Sequence, residues 1–125
     1  MSLIDDIATD LVNAGLGVLG ISLFKTYLPD NTAECLAIYD TGGTLPNVEL
    51  PDIKNLTFQI LIRSATYNAG KTKMDNIRAR LHGVKNRTIG STYFYYIGAL
   101  SEGGHIGRNE KGQDEFSINF QCKTR

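Results

Sequence analysis

The distribution of apolar residues predicts a helix at the start of the chain, followed by two strands. The apolar positions that share one helical face are Ile4, Ile7, Ala8 and Leu11. Their spacing predicts a helix from residue 3 to about residue 14, where glycines follow. Residues 21–28 and 35–40 are mostly apolar and are separated by turn-forming residues, so we expect two strands paired as a hairpin.

The second half of the pattern predicts three more strands and one more helix. A strand at residues 56–63 precedes a helical pattern that follows Gly70 and ends at Gly83, a natural C-terminal cap. Residues 91–100 and 115–122 are expected to pair as an antiparallel hairpin, because both are strand-like and a glycine-rich segment joins them. The second of these strands alternates strictly, so one of its faces should be buried.

These elements predict an α+β protein. We expect a single domain over residues 1–125, mainly an antiparallel sheet with two helices packed on it. Two irregular segments are also predicted, residues 41–55 and a hairpin tip at residues 103–113. A compact domain seldom keeps long loops without using them, so both are candidates for contact with a partner protein. A solvated connector is the alternative for the first segment.

Composition and charge change this picture little. The chain has 125 residues, 42% of them hydrophobic, with 13 basic and 13 acidic side chains. A net charge of zero provides no general attraction to nucleic acid or to an anionic membrane. Residues 11–24 are too short and too interrupted to span a bilayer, and the residues before them are acidic. We therefore expect a soluble, cytosolic protein without membrane contact.

The sequence contains no recognisable catalytic or metal-binding pattern. Cys35 and Cys122 are far apart, and each is expected to be buried as a small apolar group. His82 falls in the last turn of the second predicted helix, where a cation suits the helix dipole. His105 lies among glycines without a nucleophile in a known motif. We therefore predict no enzyme activity, no metal and no cofactor.

One motif raises a specific alternative. Residues 65–72 read A-T-Y-N-A-G-K-T, which is a permitted spelling of the phosphate-binding loop. That loop requires a parallel sheet and a magnesium-binding acid at the end of a later strand, and neither is predicted here. We expect the stretch to begin a helix capped by Asn68. A small nucleotide-binding module stays as the less favoured alternative.

Charged residues also cluster locally. Six basic side chains lie between residues 71 and 87, and three tyrosines lie between residues 93 and 96, a combination that would suit nucleic acid. Because the net charge is zero and the tyrosines fit a sheet, direct nucleic-acid binding is not favoured. The adjacent acid pairs are expected to lie in solvent. These pairs are Asp5 with Asp6 and Asp114 with Glu115.

Six runs of residues occur in order along the chain: I-Y-D-T-G-G at 38–43, T-F-Q-I-L-I-R at 57–63, I-R at 77–78, L-H-G at 81–83, G-H-I-G-R-N-E at 104–110 and F-S-I-N-F at 116–120. Together they resemble the small "minor capsid protein" family of tailed bacteriophages and prophages. That family is similar to the tail-terminator or tail-completion proteins of long-tailed phages. The resemblance covers roughly residues 35 to 122 and is moderately specific.

The resemblance implies a tail-terminator-like α+β subunit that assembles as a ring, commonly a hexamer. Such a ring caps the finished tail tube and offers the surface to which the head connector docks. The implied partners are other copies of the chain, the phage tail tube protein and the head-tail connector protein. The implied location is the virion, assembled in the cytoplasm of the bacterial host, and the resemblance implies no catalytic residue or cofactor.

Our hypothesis is that residues 41–55 and 103–113 make contacts between subunits or with the tube. The candidate ion-pairing residues at these surfaces are Arg63, Arg78, Arg108 and Glu110. A single exposed ion pair stabilises little, so contacts repeated around a ring would be needed. Another phage structural part, either a head-side connector or a tube protein, stays as the alternative function.

Overall fold

The computed structural model describes residues 3–28, 34–44 and 53–125. Two helices and seven strands lie in this part of the chain. The helices are α1 (Leu3–Asn13) and α2 (Tyr67–Leu81). The strands, in chain order, are β1 (Leu23–Lys25), β2 (Cys35–Thr44), β3 (Lys54–Ser64), β4 (Val84–Ile89), β5 (Thr92–Ala99), β6 (Gly104–Arg108) and β7 (Asp114–Thr124). Both predicted helices are therefore present.

The seven strands form one sheet, in the order β1-β2-β3-β7-β5-β4. Among the described strands, β1 and β2 pair in parallel and the other pairs are antiparallel. β6 pairs with the first part of β7, and β5 pairs with the later part along the same edge. Both helices pack on the sheet, so the α+β class with a mainly antiparallel sheet is confirmed.

The main core lies between the helices and one face of the sheet. β3 and β7 run side by side, so that Phe58 faces Phe120 and Ile60 faces Ile118, and all four side chains are buried. The two phenyl rings stack with their centroids 5.0 Å apart. Burying a side chain of this size contributes about 1.5–3 kcal/mol. The alternation predicted for the last strand is therefore confirmed, with its apolar residues in the core.

Helix α1 buries its predicted apolar face, but it also buries two acids. Asp10 is 3% exposed and accepts hydrogen bonds from Nη2 and Nε of Arg80, at 2.8 and 3.0 Å, and from Arg87 at 3.5 Å. Asp6 is fully buried and accepts a hydrogen bond from the Thr92 hydroxyl. The prediction that Asp6 lies in solvent is wrong, because its partner comes from a strand far along the chain.

The first two strands do not form the predicted hairpin. β1 is three residues long and runs parallel to β2, with Leu23 opposite Leu36. At its end, Nζ of Lys25 lies 2.7 Å from a carboxylate oxygen of Asp5 on α1. The turn residues 29–31, on which the hairpin prediction rested, lie outside the described residues. The strand is therefore held by its parallel pairing with β2 and by Leu23, which is fully buried in the core.

The loop predicted at residues 41–55 is shorter than expected, because β2 and β3 extend into it from both sides and stay paired. The glycines that suggested a loop sit beside a break in the strand register. The backbone φ is +93° at Gly42 and +125° at Gly43, and a Cβ atom at Gly43 would lie 2.1 Å from the Asn55 carbonyl oxygen. Residues 45–52 lie outside the described part of the chain.

Strands β4 and β6 are absent from the sequence prediction. β4 is an edge strand with four exposed residues in succession, so it shows no alternation. β6 lies within the glycine-rich segment that was expected to be a hairpin tip. The turn itself is confined to residues 109–113, where the Asn109 amide donates to the Gln113 carbonyl at 2.9 Å. Edge position and glycine content thus hide both strands from pattern analysis.

Candidate functional site

The stretch A-T-Y-N-A-G-K-T begins helix α2 and does not form a phosphate-binding loop. The helix starts at Tyr67, and the Thr66 side chain accepts a hydrogen bond from the Ala69 amide at 3.3 Å. Thr66 is therefore the N-cap, and the prediction of Asn68 is wrong because that residue already lies inside the helix. Lys71 pairs with Asp75 at 3.3 Å, one turn further along the same helix.

The glycine of this stretch has a packing role. Gly70 is buried where α2 lies against β7, and a Cβ atom there would lie 2.3 Å from the Phe116 ring. The Phe116 ring also contacts the rings of Tyr67 and His105, with centroids 5.4 and 5.0 Å away. A close approach of helix and strand therefore explains the glycine that the motif would assign to phosphate binding.

An ion-paired cluster lies where β6 meets the start of β7. Asp114 is 2% exposed, and its carboxylate lies 2.9 Å from Nε2 of His105 and 3.4 Å from Nη2 of Arg108. The hydrogen bond from His105, together with the contacts from Arg108, lowers the pKa of Asp114 below its ordinary value. The carboxylate therefore stays ionised and joins the two strands. The prediction that Asp114 lies in solvent is wrong, because these partners enclose it.

Two of the predicted contact residues lie beside one cleft at the hairpin tip. Arg63 is 7% exposed, and its Nε lies 3.3 Å from a Glu115 carboxylate oxygen. Arg63 and Glu110 line a cleft of about 390 Å³ together with Asn109, Lys111 and Glu115. Both charge signs are present here, and Glu110 is exposed. The cleft therefore suits contact with a charged protein surface better than binding of an apolar ligand.

The other two predicted contact residues lie apart from this cleft. Arg108 pairs with Asp114 in the cluster described above, and its side chain is 64% exposed. Arg78 donates to the backbone carbonyl of Glu102 at 2.8 Å and lies 3.0 Å from the carboxylate of the same residue. Arg78 thus holds the connection between β5 and β6. The role of all four residues as assembly contacts stays a prediction.

The local basic segment does not form a continuous positive surface. Four of its six side chains pair with acids of the same chain, which lowers their capacity to bind phosphates. These four are Lys71, Arg78, Arg80 and Arg87. The hydrogen bonds that Arg80 donates to Asp10, together with the negative charge of Asp10, raise the pKa of Arg80 above its ordinary value. The segment therefore contributes mainly to the internal structure of the protein.

The remaining candidate residues, two cysteines and one histidine, have structural roles. Cys35 and Cys122 are free and buried, as predicted, and burial raises the pKa of the Cys122 thiol to about 12. The Nδ1 atom of His82 accepts a hydrogen bond from the Ala99 amide at 2.9 Å, which joins the end of α2 to β5.

Within residues 3–28, 34–44 and 53–125, no group of three or more potential metal ligands is found. Over the same residues, no helix is long and apolar enough to cross a membrane.

Comparison with known proteins identifies a family and a fold. The chain matches the family described as "Bacteriophage tail terminator protein" over residues 11–125. Its structure is similar to a chain in the solved structure titled "Virion of native gene transfer agent (GTA) particle", with a TM-score of 0.74 and 11% sequence identity. The match covers 98% of this chain and 94% of that chain, and at this identity it shows the fold alone. No curated protein sequence matches this chain.

Proposed function

Because this chain belongs to the bacteriophage tail terminator protein family, we propose that it caps the completed tail tube as a ring and provides the surface for joining the head. It is a structural protein of the phage tail and a component of the virion. The observation that carries the proposal is the family match, which extends over nearly the whole chain. The fold shared with a virion protein supports a role in particle assembly.

The proposed assembly is a homo-oligomeric ring, a hexamer, built from one domain over residues 1–125. Its partners would be the tail tube protein on one face and the head-tail connector protein on the other. Assembly would take place in the cytoplasm of the bacterial host, for a phage or a resident prophage. The charged and polar surfaces described above support protein contacts without catalysis, so we propose no enzyme activity.

The hairpin tip supplies the proposed polar contacts. Glu110 is exposed beside the Arg63–Glu115 pair, so it can form an ion pair with a basic side chain of a neighbouring protein. Arg108 remains largely exposed although it contacts Asp114, and it can take part in a second ion pair. Exposed ion pairs contribute about 0–1 kcal/mol each, so this surface would act through repetition around the ring. Arg78 and residues 41–55 are proposed as further contacts.

Purified tail tubes and purified protein provide a direct test of capping. We expect electron microscopy to show a ring of this protein at one end of each tube, and capped tubes should not elongate when more tube protein is added. A head-side connector would bind heads and leave tube ends bare. A tube protein would extend the tubes. Either result would contradict the proposed function, and tubes incubated without the protein are the control.

A further inference from the structure

The exposed apolar side chains of the subunit are concentrated at two places on different edges of the sheet. Across residues 3–28, 34–43 and 53–125, eight large apolar side chains are exposed. They are Val12, Val18, Leu19, Ile21, Tyr27, Tyr67, Leu100 and Ile106. Tyr27 packs against Phe24 beside β1. The other seven form two groups, and contiguous exposed apolar groups often mark interaction sites.

The first group, named here the α1 patch, consists of Val12, Val18, Leu19 and Ile21. These side chains are 38–69% exposed and lie at the end of α1 and in the segment that leads to β1. Val12 and Leu19 line a mostly apolar cleft of about 420 Å³. Residues 12–22 contain no charged side chain, and the Asp5–Lys25 ion pair lies at the rim of the cleft. The α1 patch is thus a concave apolar site with one charge of each sign beside it.

The second group, named here the β6 patch, consists of Tyr67, Leu100 and Ile106, which are 45–59% exposed. Leu100 donates its amide to the Asn119 carbonyl of β7. Ile106 lies at an irregularity in β6, between His105, which is opposite Phe116 of β7, and Gly107. Three residues along a strand span about 10 Å, so Leu100 and Ile106 follow one edge of β7. Tyr67, on α2, lies on the helix side of this edge, where its ring is 5.3 Å from the ring of His105, the residue before Ile106.

Charges also flank the β6 patch. The Glu102 side chain is 90% exposed next to Leu100, and the Arg108 side chain is 64% exposed at the end of β6. The rim of each patch therefore carries partly exposed side chains of both charge signs. When the two rims face each other, Glu102 can approach Lys25, and Arg108 can approach Asp5, the partner of Lys25. The apolar centres of the two patches then exclude water from the contact.

We propose that the α1 patch of one copy binds the β6 patch of the next copy. The patches lie at β1 and β6, four strand spacings apart along the sheet, or roughly 19 Å. Each copy carries one of each patch, so their contact is heterologous. Repetition of a heterologous contact builds a ring when the rotation from one copy to the next divides a full turn evenly, and an open helix when it does not. This inference rests on the proposed ring and names the surfaces that build it.

Two aspartate variants test the contact. In Leu19→Asp the α1 patch is disrupted and the β6 patch is intact, and in Ile106→Asp the reverse holds. Native mass spectrometry of the full chain should show rings for the wild type and monomers for each variant. An equal mixture of the two variants should form a heterodimer, because one intact pair of patches remains. Thr88→Asp, at an exposed position on β4, is the matched control and should still form rings.

Engineered cysteines provide a second test that does not depend on introducing charges. The natural thiols of Cys35 and Cys122 are buried, so oxidation should cross-link only new cysteines. A chain carrying both Leu19→Cys and Ile106→Cys should give a covalent ladder that ends at the ring size. Either single variant should give no dimer. Dimers from a single variant would indicate a symmetric contact and overturn the proposal.

Different results would overturn this inference and the proposed function. If the wild type and both aspartate variants form the same rings, with melting temperatures that show intact folding, the two patches do not build the ring, although the ring itself stands. If the wild type forms no ring either alone or on purified tail tubes, the capping function fails and this inference fails with it.

Discussion

Replacing Arg80 with methionine is expected to lower the free energy of unfolding by about 2–3 kcal/mol. Arg80 donates two hydrogen bonds to Asp10, whose carboxylate is 3% exposed and joins α1 to α2. Methionine keeps most of the side-chain length but leaves this buried charge with only the longer contact to Arg87. Stability is lost because the Asp10 carboxylate stays buried without most of the contacts that offset its removal from water.

Arg78→Met is the matched control, since both arginines lie on α2. Arg78 pairs with the carboxylate of Glu102, whose side chain is 90% exposed, and donates to the exposed backbone carbonyl of the same residue. Because water can replace both contacts, their loss should cost at most about 1 kcal/mol. Denaturant unfolding measures both changes. Arg80→Met should also cost less in an Asp10→Asn background, because the two residues interact. Equal losses for the two arginine variants would show that the buried acid is not the cause.

Replacing Gly70 with alanine is expected to destabilise the protein by about 1–3 kcal/mol through overpacking, although alanine is favoured over glycine in a helix by about 1 kcal/mol. The new methyl group would lie 2.3 Å from the Phe116 ring. That ring has little room to move, because Tyr67 and His105 pack against it. We therefore expect the clash to exceed the gain in helix propensity.

Thermal and denaturant unfolding of Gly70→Ala measure this effect. Asn76→Ala, at an exposed position of the same helix, is the control and should be neutral or slightly stabilising. Gly70→Ala should cost less in a Phe116→Leu background than in the wild type, because the smaller side chain makes room for the methyl group. Stabilisation by Gly70→Ala alone would contradict the close contact between α2 and β7.

Local signals account for the parts of the fold that were predictable. The α1 face repeats at helical spacing, and β7 alternates because its apolar side faces the core. Gly83 ends α2 as expected, with a φ of +90° that favours glycine. Each of these features depends on residues close together in the chain. A pattern can therefore reveal them without knowledge of the tertiary structure.

The features that could not be predicted depend on distant partners. Asp10 is buried because it meets Arg80, seventy positions later, and no local pattern encodes that pair. β4 and β6 are edge strands whose exposure or glycine content removes the usual alternation. The phosphate-loop pattern misleads for the opposite reason. It is a local match, whereas the role of Gly70 is set by Phe116 on another element.

The most direct test of the account is the length of tails made by a phage that lacks this protein. Electron microscopy should show tails that are overlong and not joined to heads, and supplying the wild-type protein should restore uniform tails on heads. Tails of normal length joined to heads would contradict a terminator function. An absence of tails would also contradict it, since that result indicates a component of the tube.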